Sequence, residues 1–351
     1  MNPLTPATNP WLHRFAVLTA LATFLLLGAG GLVTSHNAGM SVPDWPNSYG
    51  YNMFAFPPSQ WVGGIFYEHT HRLWASAVGL MTTILAVWLW LKDPRRWMKW
   101  LGVAAWALVV VQGVLGGLRV VLIDADLGIV HGVIAQTFFV LTCALALFTS
   151  NFWHKIAAQR AEAPRRLKAL VLTATILIFC QLILGATMRG QHAGLSIPDF
   201  PLAYGKLWPD IRPAAVARYN AERMDVLAEN PITAFQIILQ MVHRLVAVLI
   251  LAAVAGCAWQ ARKIPAPVHR RLSIFWLALI VGQISLGAAT IWTNKAADVA
   301  TLHLMGGALA LATGVLWCVV NFRRATEAGK ALGTAPAAAP LSGTLSAATN
   351  H

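Results

Sequence analysis

Charge is what this 351-residue chain has least of: Asp, Glu, Lys and Arg together make up 11% of it, and only 13 residues are acidic. A soluble globule of this length could not cover its surface with so few charges. With 57% hydrophobic residues and a mean hydropathy of +0.60, the composition excludes a water-soluble domain and indicates an integral membrane protein. Cysteine is equally scarce. Cys143, Cys180, Cys257 and Cys318 each sit inside an apolar stretch, with no Cys-x-x-Cys pair and no Cys-x-x-Cys-His for covalent attachment of a macrocycle, and read as small packing residues. The formal charge of +13 does not point to nucleic acid, because the basic residues lie in short connectors between apolar runs rather than along one polar face. An Arg-rich amphipathic leader is missing too, which favours the plasma (inner) membrane of a bacterium, and the first apolar run has no small-residue cleavage site, so it is expected to be retained.

What remains is a series of apolar runs. Crossing roughly 30 Å of hydrocarbon takes about 20 helical residues. Eight runs qualify, at about 14–34, 66–91, 99–119, 129–150, 167–189, 234–260, 270–293 and 299–321. Of the 26 Lys and Arg, seventeen fall on the side holding both termini and the connectors after the second, fourth and sixth runs, and seven on the other; Arg72 and Arg244 lie within runs. That asymmetry predicts cytoplasmic termini and places two long loops, about 35–65 and 190–232, on the outer face. Beyond 326 the chain is Ala, Gly, Pro, Ser and Thr with almost no charge, and a disordered tail over 326–351 is expected.

The chain repeats itself. Ser35 to Gly50 aligns with Gly190 to Gly205 through a shared Ala-Gly-x-Ser-x-Pro-Asp-x-Pro-x-x-Tyr-Gly, and His71-Arg72-Leu73 matches His243-Arg244-Leu245. Gln112 to Gly116 matches Gln283 to Gly287, leading to His131 and His303 respectively. The Gln-x-x-Leu-Gly pattern recurs at Gln181 to Gly185, with Phe24 to Gly28 as a degenerate relative. Each half, 1–160 and 161–325, thus contributes four spans and two histidines. Because four is even, both copies run the same way. The expected architecture is all-α: two tandem four-helix bundles related by a pseudo-twofold axis along the membrane normal.

All four repeat histidines fall toward the outer ends of their spans, at similar depth. Neutral imidazole is a good ligand for iron, and facing helices of a bundle are a standard place to hold a macrocycle, so His71 with His131 and His243 with His303 are candidate bis-histidine heme sites. Hydrogen-bonded interhelical histidines are the simpler alternative, and copper is not excluded by ligand type. The halves differ at one telling place. Glu68 precedes His71 by three residues on the same helical face, where the other copy has Gln240. A carboxylate can accept and donate protons whereas an amide can only hydrogen bond, so the amino-terminal half is the candidate for reactivity. The simpler alternative for Glu68 is a helix-start carboxylate stabilised by the dipole or paired to an arginine. Arg72 and Arg244 are placed either to meet porphyrin carboxylates or to snorkel to water. His69 has Met241 opposite it and ranks below the four, while His13, His36, His154, His192, His269 and His351 are expected to be solvated. Asp44 and Asp199, each between two prolines, suggest stiff caps over the bundles.

These residues, with Gly31 to Ser35 leading into Ala-Gly-x-Ser, Glu68 to Arg72, and His131, His243 and His303, resemble the heme A synthase family over 14 to about 322. The resemblance implies an oxidoreductase that converts heme O to heme A by oxidising a ring methyl to formyl. It implies a heme B cofactor on His243 and His303, substrate heme O near His71 and His131, and Glu68 as the catalytic carboxylate. Some members carry a cysteine pair in the first outer loop; this chain has none there. Membrane lipid, a heme O synthase as supplier, an unidentified electron donor and a homo-oligomer are the partners it suggests. A non-catalytic di-heme electron carrier of b type is the alternative, with a parallel-repeat transporter behind it.

Overall fold

A computed structural model of the chain describes residues 9–158, 163–223, 231–265 and 267–323. In chain order the helices are α1 (Pro10–Ser35), α2 (Gly63–Lys92), α3 (Arg96–Val121), α4 (Ala125–Phe148), α5 (Asn151–Ala158), α6 (Arg165–Gly190), α7 (Pro213–Ala221), α8 (Ala234–Ala261), α9 (Pro267–Trp292) and α10 (Ala297–Phe322). Eight of them are long and apolar enough to span a bilayer, and the protein is a multi-pass, all-α membrane protein. Their ends are written in local chemistry. The Asn9 side chain accepts the amides of Trp11 and Leu12 ahead of Pro10, Asp124 does the same for Asp126 and Leu127, and Thr233 and Gln236 close a capping box on α8. The expected tail at 326–351 lies outside the described residues.

Helix contacts sort into two groups. Within the first, α1, α2, α3 and α4 touch in a closed ring; within the second, α6, α8, α9 and α10 do the same. The groups meet along α1, α4, α6 and α10. Leu27, Phe139 and Val140 cross this seam to join a buried cluster with Ile178, Trp276 and Trp317 of the second group, whereas Leu12, Val78, Leu89, Met98 and Leu145 form a separate core in the first. Large apolar side chains such as Leu18, Leu80, Val248 and Phe275 point outward, as helices solvated by lipid require.

Two elements escaped the periodicity of the sequence. The short α5 follows α4 directly, and α7 sits in the second long loop with no counterpart in the first, which has only short turns at Met53–Ala55 and Pro58–Gln60. Tyr219 of α7 stacks on Tyr204 with centroids 3.6 Å apart; in the first loop Phe56 stacks on the matching Tyr49 at 5.9 Å. Different backbones therefore bring an aromatic ring to the same tyrosine. Otherwise the loops copy each other closely. Trp45–Pro46 and Phe200–Pro201 are both cis, and Asn37, Tyr49 and Gly50 share positive φ with His192, Tyr204 and Gly205.

Candidate functional site

Each repeat histidine stands at the same kind of place, its ring edge against a glycine of a neighbouring helix. A Cβ added at Gly30 would lie 3.1 Å from Cε1 of His71, and one at Gly116 would lie 3.4 Å from Cε1 of His131. The second half repeats this with Gly185 at 3.5 Å from His243 and Gly287 at 3.2 Å from His303. The glycines do more than allow close helix packing: they make the slots in which the imidazoles stand. They also correct the register of the weakest repeat. Gly30, not Gly28, is the counterpart of Gly185, so Leu26 is the residue opposite Gln181.

Glutamines tie down the histidine-bearing turns. Gln112 donates to the His131 carbonyl at 3.1 Å, Gln283 to that of His303 at 2.8 Å and Gln181 to that of His243 at 2.8 Å. His71 has Leu26 where the fourth glutamine would be.

No hydrogen bond holds a ring nitrogen of any of the four among the described residues, and all four Nδ1 atoms are buried without a partner. Buried polar atoms are rarely left so, and imidazoles positioned by packing alone fit a group that binds through nitrogen. The rings of His243 and His303 lie with centroids 6.5 Å apart and planes inclined at 63°. An ion bound between two imidazoles at about 2 Å from each nitrogen separates their centroids by about 6 Å, so this pair suits a shared iron. His71 and His131 are within electrostatic reach of one another and of Arg119.

The sequence-selected polar residues on α2 and α8 act on the loops. Glu68, 4% exposed, accepts the Val42 amide at 2.9 Å on Oε2 and pairs through Oε1 with Arg72 at 2.7 Å. Gln240 takes the same place, accepting the Ile197 amide at 2.7 Å and donating to Gly194 and Ile197. Arg72 also donates to the carbonyls of Val42, Asp44 and Asn47, and Arg244 to those of Asp199 and Leu202. Neither arginine snorkels; each stitches a loop to its helix. Asp44 and Asp199 close their turns on the amides of Tyr49 and Gly50 and of Tyr204 and Gly205. Burial alone would raise the Asp44 carboxyl, but the Gly50 and Tyr49 N–H groups and nearby Arg72 outweigh it and hold it below the ordinary aspartate value.

His69, ranked below the four, stands apart from them, and two histidines expected in solvent, His269 and His13, are buried or half-buried. His69 is fully buried, bonded to Ser48 at 3.1 Å and flanked by Phe56 and Trp61, which makes it a loop anchor. His269, expected in solvent, is buried on α9 and accepts from Trp317 Nε1 at 3.2 Å, because α9 starts at Pro267, a turn earlier than the hydropathy suggested. His13 is half-buried on α1 and meets Thr149 at 3.3 Å. Sequence reasoning also passed over Arg119 and Arg189, counting them only as loop-side charges. Their repeat positions are Thr290 and Thr34, and that mismatch was the available signal.

Fold and site together define a multi-span membrane protein of two packed helix groups, each presenting paired, unbonded histidines toward the side of the long loops. Residues 13–315 match the model of the cytochrome oxidase assembly protein family, COX15-CtaA, and the chain belongs to that family. It is similar to the heme A synthase of Novosphingobium aromaticivorans, at 28% identity over 89% of this chain and 95% of the relative. The heme A synthase of Shouchella clausii is 28% identical over 81% of this chain and 88% of its own length. The human heme A synthase COX15 is 27% identical over 74% of this chain and 64% of its own.

Proposed function

We propose that the protein converts heme O to heme A by oxidising a porphyrin methyl group to formyl, with heme B as its bound cofactor. It is an enzyme of heme A formation in the assembly of cytochrome oxidase, resident in a bacterial inner membrane with both termini cytoplasmic. One observation carries the reading: two histidine pairs in matched glycine slots, of which only the amino-terminal one has a carboxylate in its first loop anchor and an unrepeated arginine beside it.

His243 and His303 would hold the cofactor iron, whose contribution when bound is to relay electrons. His71 and His131 take the substrate iron, and the slots at Gly30 and Gly116 fix the imidazole planes. Glu68 handles the proton. Its Oε1 is held by the Arg72 guanidinium, so Oε2, held only by the neutral Val42 amide, is the oxygen that takes the proton, and protonation there loosens the first loop. Arg72 keeps the carboxylate oriented and the first loop pinned to α2. In the second half Gln240 anchors its loop without a titratable group.

The engagement of both Glu68 oxygens also suits a di-heme electron carrier that needs no proton at this position. Product analysis separates the two. The chain is expressed in cells that make heme O but not heme A, and the extracted hemes are identified. Heme A is expected; its absence with the protein present and electrons supplied would leave the carrier.

A further inference from the structure

Arg119 and Arg189 stand near the ends of α3 and α6 on the long-loop side, and Lys295 lies between α9 and α10 on the same side. Arg119 packs against Gly39 of the first loop and Gly128 of α4, and Gly190 at the end of α6 packs against the adjoining Ile129. Arg189 reaches across the seam, donating to Gly31 O at 2.6 Å and Ser35 Oγ at 3.0 Å. Arg189 is within electrostatic reach of Arg119, and Lys295 of Arg189. All three are partly buried, and among the described residues none is in an ion pair.

Like charges gathered out of bulk water repel each other, and each has lost part of its hydration. Glu68 is the carboxylate in reach of Arg119, and both its oxygens are already taken by Arg72 and Val42. Arg119 Nε is buried without a partner. Burial and Arg189 hold the Lys295 ammonium below the ordinary lysine value, which an arriving anion would reverse. None of the three belongs to the repeat: Thr290, Thr34 and Asp124 stand at the matching positions. Of the four histidines, Arg119 reaches His71 and His131. An anion received by Arg119 would therefore sit beside the amino-terminal pair.

We infer that Arg119, Arg189 and Lys295 form a carboxylate site, on the loop side of the seam, that receives the propionates of the macrocycle held by His71 and His131. This rests on the proposed heme substrate. It also assigns the carboxylates to residues other than Arg72, whose two terminal amino groups are held by the first loop and Glu68. An exchangeable substrate needs such a site because it must be recognised at each turnover. Two carboxylates against three cations also fix which edge of the ring enters first.

The test uses the full chain in nanodiscs of zwitterionic lipid, titrated with ferric protoporphyrin IX and separately with its dimethyl ester, and followed by absorbance. The diacid is expected to bind about tenfold or more tightly than the diester. Arg119→Gln should remove most of that preference without weakening the diester, and Arg119→Lys should retain part of it. Equal binding of diacid and diester by the unaltered chain would overturn the inference, and so would an Arg119→Gln variant that weakens both alike. In discs containing phosphatidylglycerol, loss of the diacid preference, with less copurifying phosphatidylglycerol in Arg119→Gln, would give the site to a lipid phosphate and overturn it as well. A retained diacid preference in a chain that forms no heme A supports the site while removing the proposed function.

Discussion

His303 on α10 stands with its Cε1 edge on the backbone of Gly287 in α9, where a Cβ would lie 3.2 Å away. At Gly185 the same construction leaves 3.5 Å to His243, an ordinary contact. Gly287→Ala is therefore expected to displace its imidazole and weaken or broaden the b-type absorbance of the purified protein, and Gly185→Ala to leave it nearly intact. Equal spectra for the two variants would dissociate the glycine slots from ligand placement.

The carboxy-terminal pair is the proposed seat of the tightly held heme. His243→Ala or His303→Ala should each abolish that spectrum in protein of unchanged helix content by circular dichroism. An unaltered spectrum in both would sink the ligand assignment.

Glu68 has two separable duties. Glu68→Gln copies the second half's Gln240 and keeps an acceptor for the Val42 amide but loses the charge facing Arg72, so stability should fall less than in Glu68→Ala while turnover falls about 10²-fold or more. Glu68→Ala removes the loop anchor as well and leaves Arg72 without its charge partner, at about 3 kcal/mol or more in thermal unfolding. Full turnover by Glu68→Gln would dismiss the proton role.

Asp44 sets an acid limit on the first loop. Because its carboxyl titrates below the ordinary aspartate value, its contribution is complete above about pH 4 and fades as pH falls through the depressed value. Fluorescence of Trp45, next to Asp44, should stay constant down to about pH 4 and change only below it. Asp44→Asn should destabilise the loop at neutral pH and flatten that acid transition; a transition centred above pH 5 would implicate another group.

Gln181→Leu reproduces what the first half has at Leu26. Losing the bond to the His243 carbonyl should cost about 0.6–1.7 kcal/mol of stability in detergent, the scale of hydrogen bonds between membrane helices. No change would make the glutamine ring around the histidines dispensable.

The eight spans, the duplication and the four histidines were legible in the chain because each depends on local order: hydropathy over about 20 residues, or a motif found twice. Glu68 and Gln240 could be paired by alignment, but not their work, since the Val42 and Ile197 amides they hold come from loops that fold back by tertiary contact. Arg72 and Arg244 looked free to meet a ligand for the same reason. His269 looked solvated because its partner, Trp317, is 48 residues away on α10. The glycine slots and the cluster of Arg119, Arg189 and Lys295 exist only once the helices are packed. Composition and periodicity determined that this chain would be two sets of four membrane helices carrying histidines. Packing decided what each imidazole leans on and which charges lose their water, because both depend on which helices and loops meet.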